Sequence, residues 1–422
     1  MGKDKKMKLT VNSYFSEQNI ANIAFWGIGL LAGLFVFRLL FPVFALLYNG
    51  AVFYLALRSL FLLFRPNISK TPWAFQIKFF SLAISLVFSL LFGLEFFYRN
   101  FAALASQFLM ILIFLKNPTD GEAVSYINGF KISLMINYLF GLVQLLFILI
   151  KGINIFYPVG LYLGLYESVS ASQEASTRVT GLVWDPYVIG MYCTLGFFLF
   201  KTRIIKILTI VLLYFSFSRA GEVGFICAAL YYFFPVVKKW MRKEHLAMPL
   251  FCLCFFVFLA FVPIFIDVLD FDRGFSRKSQ GWRRVEYITK IPEIWNADGN
   301  PFLAIFGGAP AYTGARHVLT SVDSKAKRDI LRLKKEKRIY WTVETDWFGI
   351  LIGRGIFGFL AYLSLYLYIV FSNCNRKNKA IAISVLMAGV GYYYDTAIFS
   401  MFTIYFAGAT KDINRYLSRK TI

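Results

Sequence analysis

Three polar stretches interrupt an otherwise apolar chain, and between them they hold the residue types that do chemistry. The first brings Arg178, Gly181, Asp185, Pro186 and Tyr187 close together. Pro186 suits the first turn of a helix, whose start offers free N–H groups and a positive dipole end. Arg178 adds a guanidinium able to hold a phosphate through two donors. Asp185 is a secondary acid-base candidate. The second stretch runs from Tyr214 through Ser218, Arg219, Ala220 and Gly221 to Glu222. Arg219 at such a turn either snorkels to an interface or meets an anion, and the small Ala220 and Gly221 permit close approach of a ligand or helix. The third contains Glu344 and Asp346 immediately before an apolar helix that includes Gly355 and Gly358. Acids there complement a helix dipole, and a carboxylate among arginines also serves as a general base toward a hydroxyl.

The elements that must position these residues are membrane helices. The chain has 422 residues, 58% hydrophobic, 19% aromatic and only 16% charged, too apolar to cover itself with polar side chains in water. Apolar runs of about 17 to 25 residues recur, each long enough to cross roughly 30 Å of hydrocarbon. The expected fold is all-α and polytopic, with about twelve spans: Ile20–Phe37, Leu39–Phe64, Ala74–Tyr98, Phe101–Leu115, Val124–Ile150, Pro186–Phe200, Ile207–Phe217, Gly221–Val237, Ala247–Ile266, Trp347–Phe371, Ala380–Tyr394 and Ala397–Ala409. The first run lacks a small-residue cleavage site and reads as a retained anchor.

Short Lys/Arg-rich connections stay in the cytoplasm. The amino terminus, Arg65 to Lys78, Lys116, Lys201 to Lys206, Lys238 to Lys243, Arg376 to Lys379 and Lys411 to Lys420 then all fall inside, as do both termini. All three polar stretches fall on the opposite, outer side. The chain divides into residues 1–266 with the outer loop 151–185, the large outer loop 267–346, and 347–422 with the last helices and tail. A loop of about 80 residues is long enough to fold on its own, with short helices after Arg283-Arg284 and over Asp323 to Tyr340.

Other chemistries find little purchase. The five cysteines (Cys193, Cys227, Cys252, Cys254 and Cys374) lie in or beside apolar runs, and His245 and His317 fall on opposite sides, so neither a disulfide framework nor a metal site is expected. The formal charge of +22 is accounted for by cytoplasmic clusters facing anionic lipid and does not call for nucleic acid. No internal repeat appears, which weakens a transporter reading. Glu95, Arg38 and Arg58 are the few charged groups near helix interiors, each placed to snorkel.

The ordered set of motifs resembles the O-antigen polymerase and O-antigen ligase superfamily, the Wzy- and WaaL-type membrane glycosyltransferases. The resemblance covers roughly Arg178 to Gly358. It rests on the entrance Arg178, Gly181, Pro186, on the Ser218-Arg219-Ala220-Gly221 turn, on Arg283-Arg284 in the large loop, on Asn300-Pro301-Phe302 with Gly307-Gly308, and on Gly355 to Gly358. Ligases open the closing segment with His-Asn, whereas Glu344 and Thr345 stand there in this chain, which favours polymerase. Tyr187 also replaces the asparagine that often follows the entrance proline.

The resemblance implies a GT-C-like fold in a bacterial inner membrane with its active site facing the periplasm. It implies a growing glycan on undecaprenyl pyrophosphate as donor, a lipid-linked repeat unit as acceptor, and partners such as a chain-length regulator and a flippase, with no cofactor or metal. Arg178, Arg219, Arg283 and Arg284 are assigned to the pyrophosphate and Glu344 to the base, with Asp346 and then Asp185 behind it; Ser218, Gly181 and Pro186 support them. The alternatives are a ligase, which differs only on the acceptor side, and a flippase or transporter for lipid-linked sugars.

Overall fold

The computed structural model describes residues 16–64, 72–92, 109, 112–113, 115–154, 177–183, 185–238, 301–306, 346–371 and 375–389. Among them the chain is helical with no strand. In chain order the helices are α1 (Glu17–Gly33), α2 (Phe35–Leu40), α3 (Pro42–Leu63), α4 (Trp73–Phe92), α5 (Asp120–Lys151), α6 (Pro186–Leu199), α7 (Arg203–Ser216), α8 (Arg219–Lys238), α9 (Pro301–Phe306), α10 (Asp346–Phe371) and α11 (Arg376–Ala388), with a 3-10 turn at Gly181–Val183 before α6.

Three segments, Pro42–Leu63, Asp120–Lys151 and Arg354–Phe371, are long and apolar enough to cross a membrane. Their surfaces suit lipid rather than water. Leu46 (73%), Phe61 (69%) and Ile150 (74%) lie exposed on α3 and α5, while Ser133, Asn137 and Gln144 of α5 are fully buried. A soluble helix places these two kinds of side chain the other way round.

The axis of the body is α5, which packs along α1 and also touches α6, α7 and the 3-10 turn. At the crossing with α1 the backbones meet. A Cβ on Gly29 would strike the Tyr126 carbonyl, and one on Gly129 would strike that of Trp26. Small residues at such a crossing let helices approach where no hydrophobic effect drives them together. Around this pair, α3 packs on α1, α6 on α7 and α8, α8 on α11, and α10 on α4.

Several expected spans differ in detail. The first apolar run is not one helix: α1 stops at Gly33, Leu34 is non-helical, and Phe41 is extended before Pro42 opens α3. A residue preceding proline is sterically driven out of the helical region, which explains the second break. Lys78 is not part of a basic connection. It lies buried inside α4 with its ammonium 4.7 Å from the Tyr362 ring centre, a cation–π contact that offsets loss of water. The span from Trp347 is kinked at Gly355, whose φ of 66° and ψ of −173° suit glycine alone. At 14 residues each, α6 and α7 rise only about 21 Å. Arg58 does not snorkel; it pairs with Glu122. The expected spans Ala247–Ile266 and Ala397–Ala409, most of Phe101–Leu115, Glu95, both histidines, Cys252, Cys254 and Cys374 lie outside the described residues.

Candidate functional site

The turn that carries Arg178 is moulded onto α5 by two side-chain amides. Gln144 Oε1 accepts the N–H groups of Thr180 (3.0 Å) and Gly181 (2.8 Å), and its Nε2 donates to Thr180 Oγ1 and the Gly181 carbonyl, both at 3.2 Å. Asn137, two turns earlier on the same face, accepts from Leu182 N–H at 2.9 Å and donates to the carbonyls of Gly33 and Ser133. Asn154 Nδ2 donates to the Arg178 carbonyl at 2.8 Å. Gly181 is left-handed, with φ of 58°, and a Cβ there would press on Asn137 Oδ1 and Ile189. Glycine at this position is therefore required twice over, by conformation and by space. The Arg178 side chain emerges half-buried from a backbone whose polar groups are tied down.

Asp185 caps α6. Its Oδ1 accepts from Tyr187 N–H (2.8 Å) and Val188 N–H (3.3 Å), with buried Pro186 at the first helical position. That is the arrangement expected of an acidic N-cap followed by proline.

The second stretch sits directly against the first. Val179 N–H donates to the Phe215 carbonyl at 3.1 Å, joining the Arg178 turn to the end of α7. Phe217 is left-handed (φ 49°), uncommon for a bulky residue and a local strain in the link between α7 and α8. Ser218 is fully buried and caps α8, its Oγ accepting from Gly221 N–H at 3.2 Å. A Cβ on Gly190 of α6 would collide with Ser218, so α6 and α8 meet as closely as their backbones allow. Arg219 is exposed as the first residue of α8, and the Glu222 carboxylate one turn on feels its charge.

The third stretch reaches the same end of the body through α11. Trp347 N–H faces the Gly389 carbonyl at 3.4 Å, and its indole N–H donates to the Leu386 carbonyl at 2.9 Å, which fixes the start of α10 on the end of α11. Gly224, early in α8, lies against Ser384 and Ala388 of α11. The starts of α6, α8 and α10 thus share one end with the Arg178 turn. Asp346 opens α10 there. Glu344, Arg283 and Arg284 lie outside the described residues.

Several residues at this end had no part in the site that the sequence suggested. Asn137 and Gln144 position the Arg178 turn, and their polar side chains inside an apolar run were the available signal. Arg38 lies on α2, which packs beside the Gly181–Val183 turn, with its guanidinium 4.2 Å over the Tyr48 ring. Glu222 adds a carboxylate near Arg219. Arg354, only 3% exposed, sits at the α10 kink.

At the opposite end of α5 the charges are closed upon one another. Thr119 and Glu122 form a capping box, in which Glu122 N–H donates to Thr119 Oγ1 and Thr119 N–H to Glu122 Oε2. Glu122 Oε1 also receives Arg58 at 2.7 Å and Lys116 at 3.3 Å, while Arg58 reaches Glu17 at 3.1 Å. Burial holds the Lys116 ammonium below the usual lysine range, with the Glu122 carboxylate working against that shift. From Glu122 to Gln144 the helix rises about 33 Å, close to the thickness of a hydrocarbon core.

No protein-family model matches the chain, and no curated protein matches it. The functional reading therefore rests on the residues and their placement.

Proposed function

We propose that this chain is a membrane glycosyltransferase that polymerises lipid-linked oligosaccharides. The observation that carries the reading is the union of two arginine-bearing turns at one end of the helical body, through the Val179–Phe215 hydrogen bond. Arg178 and Arg219 are presented there from helix starts and a pinned turn, beside the start of α10. Guanidinium groups on a preorganised backbone, next to positive dipole ends, are suited to a pyrophosphate leaving group.

In the proposed reaction Glu344 takes the proton from an acceptor sugar hydroxyl, with Asp346 as the second candidate. The hydroxyl oxygen bonds to the anomeric carbon of the donor glycan, and the bond from that carbon to the pyrophosphate oxygen breaks. Undecaprenyl pyrophosphate leaves with its new negative charge on Arg178, Arg219 and the Arg283-Arg284 pair, and the proton stays on the base. Asp185 ranks last, because its Oδ1 is engaged in capping α6. About twelve spans, both termini in the cytoplasm, and a bacterial inner-membrane site facing the periplasm complete the reading.

The test is to incubate purified protein with a matched undecaprenyl pyrophosphate repeat unit, without nucleotide, and to resolve products by length. The expected result is a ladder that disappears in Arg219→Ala. Transfer of preformed chains to an added acceptor, with no ladder, would assign the chain to ligation instead, which uses the same arginines. Substrate movement across vesicles with no new glycosidic bond would assign it to transport.

A further inference from the structure

Four lysines from three parts of the chain meet where α6 ends and α7 and α11 begin. Lys131 stands on α5, Lys201 in the link between α6 and α7, Lys206 in the first turns of α7, and Lys377 in the first turn of α11. The Phe200 ring at the end of α6 lies 6.2 Å from that of Tyr138 on α5, the Phe198 ring lies 5.6 Å from that of Tyr232 on α8, and Arg376 at the start of α11 donates to the Tyr231 carbonyl, which brings the stretches that carry the four lysines together. Their charges act on one another there. None of them forms an ion pair with a carboxylate among the described residues. Lys206 is held in place by the Phe197 ring, 5.2 Å from its ammonium to the ring centre.

The backbone adds to this excess of positive charge. The first turns of α7 and α11 contain no acid, and the Thr202 side chain makes no capping bond to α7. A helix start already carries about half a positive charge and ordinarily attracts Asp or Glu. Here it meets Arg203 and Lys377 instead. The side-chain nitrogen of Asn375, whose oxygen caps α11, is buried with no hydrogen-bond partner among the described residues. Rigid helices that gather like charges and bare N–H groups in one place are relieved by an anion.

The surroundings identify its kind. Ile204 (77%) and Ile207 (63%) lie exposed along α7 beside the lysines, as does Ile132 on α5. Lys131 lies eleven residues into α5, about 16 Å along the axis from its first residue. A ligand here meets cations at one point and bare aliphatic surface next to it. We propose that this cluster is a binding site for an anionic phospholipid, with the phosphate and headgroup on the lysines and an acyl chain along Ile204 and Ile207. The inference rests on the chain spanning a membrane and not on glycan transfer.

Native mass spectrometry of the full chain, released from detergent with phosphatidylglycerol or phosphatidylcholine, tests it. Phosphatidylglycerol should be retained and phosphatidylcholine stripped. Removing a lysine contact near a membrane surface should weaken retention about fivefold, so Lys131→Gln with Lys377→Gln should lose roughly 25-fold. The matching pair of arginine substitutions should bind as the natural chain does, and Lys151→Gln at the other end of α5 should change nothing. Equal retention of the two lipids, or of phosphatidylglycerol by the glutamine variant, overturns the proposal. Loss in the arginine variant overturns it as well, because charge would not be what the site supplies. Displacement of the lipid by inorganic phosphate at equal concentration would reassign the site to a soluble phosphate.

Discussion

The two ends of α5 hold polar groups in opposite ways. At the Glu122 end, two cations face two carboxylates, Arg58 and Lys116 against Glu17 and Glu122, with Glu122 buried at their centre. At the Gln144 end, neutral amides hold the turn that carries Arg178, and Arg219 projects from the adjoining turn, which the Val179–Phe215 hydrogen bond joins to the first. A charge-balanced buried cluster has no electrostatic demand left for a ligand, and its role is to lock α1, α3 and α5 together. At the other end the guanidinium groups of Arg178 and Arg219 are carried on turns whose backbones are fixed by uncharged donors and acceptors. The difference teaches that the number of charges says less about function than how the fold holds them.

Four substitutions would break or sharpen that contrast. Glu122→Gln should have the largest effect on stability. It leaves Arg58 and Lys116 around a neutral group, and losing one partner of a buried pair costs about 3–5 kcal/mol. Thermal unfolding in detergent reads this directly, and a change below about 1 kcal/mol would mean the cluster does not hold the three helices. Gln144→Leu comes next, because it strands the N–H groups of Thr180 and Gly181, at about 1–3 kcal/mol for each buried group left unsatisfied. It should also abolish product formation by releasing the Arg178 turn, and full activity with unchanged stability would show that the amide does not position the turn. Gly181→Ala forces a Cβ into a left-handed residue, a cost of roughly 1–2 kcal/mol before any contact with Asn137 is counted. Unaltered unfolding in that variant would contradict the observed turn. Arg219→Ala should scarcely move stability, within about 0.5 kcal/mol as for other exposed positions, while removing activity. Strong destabilisation would make Arg219 structural and bring the two ends of α5 back into one class.

Among the described residues, the interiors of the long helices were legible from their unbroken apolar runs. The expected span Val124–Ile150 lies within α5, and Pro186 opens α6 as anticipated, because the steric effect of proline acts over a few residues. The breaks at Leu34 and Phe41 were less visible, since hydropathy does not register backbone direction. Lys78 was misplaced for a related reason: its ring partner, Tyr362, belongs to another helix. At the candidate site, the residue types of Arg178, Gly181, Asp185, Ser218 and Arg219 could be picked out, but not that Asp185 and Ser218 cap helices or that Gln144 and Asn137 hold the first turn.

What the sequence alone determined is the class of molecule and the local punctuation: apolar runs of membrane length, basic connections, and polar stretches containing arginines and acids. These depend on residues close together in the chain, through helical rise, capping and proline sterics. Only the tertiary structure decided which charges are neutralised. Arg58 and Glu122 lie 64 residues apart and Val179 and Phe215 36 apart, and nothing in either neighbourhood specifies its partner. That choice is made when helices pack, because a buried charge or amide must find its match in whichever element lies across the interface.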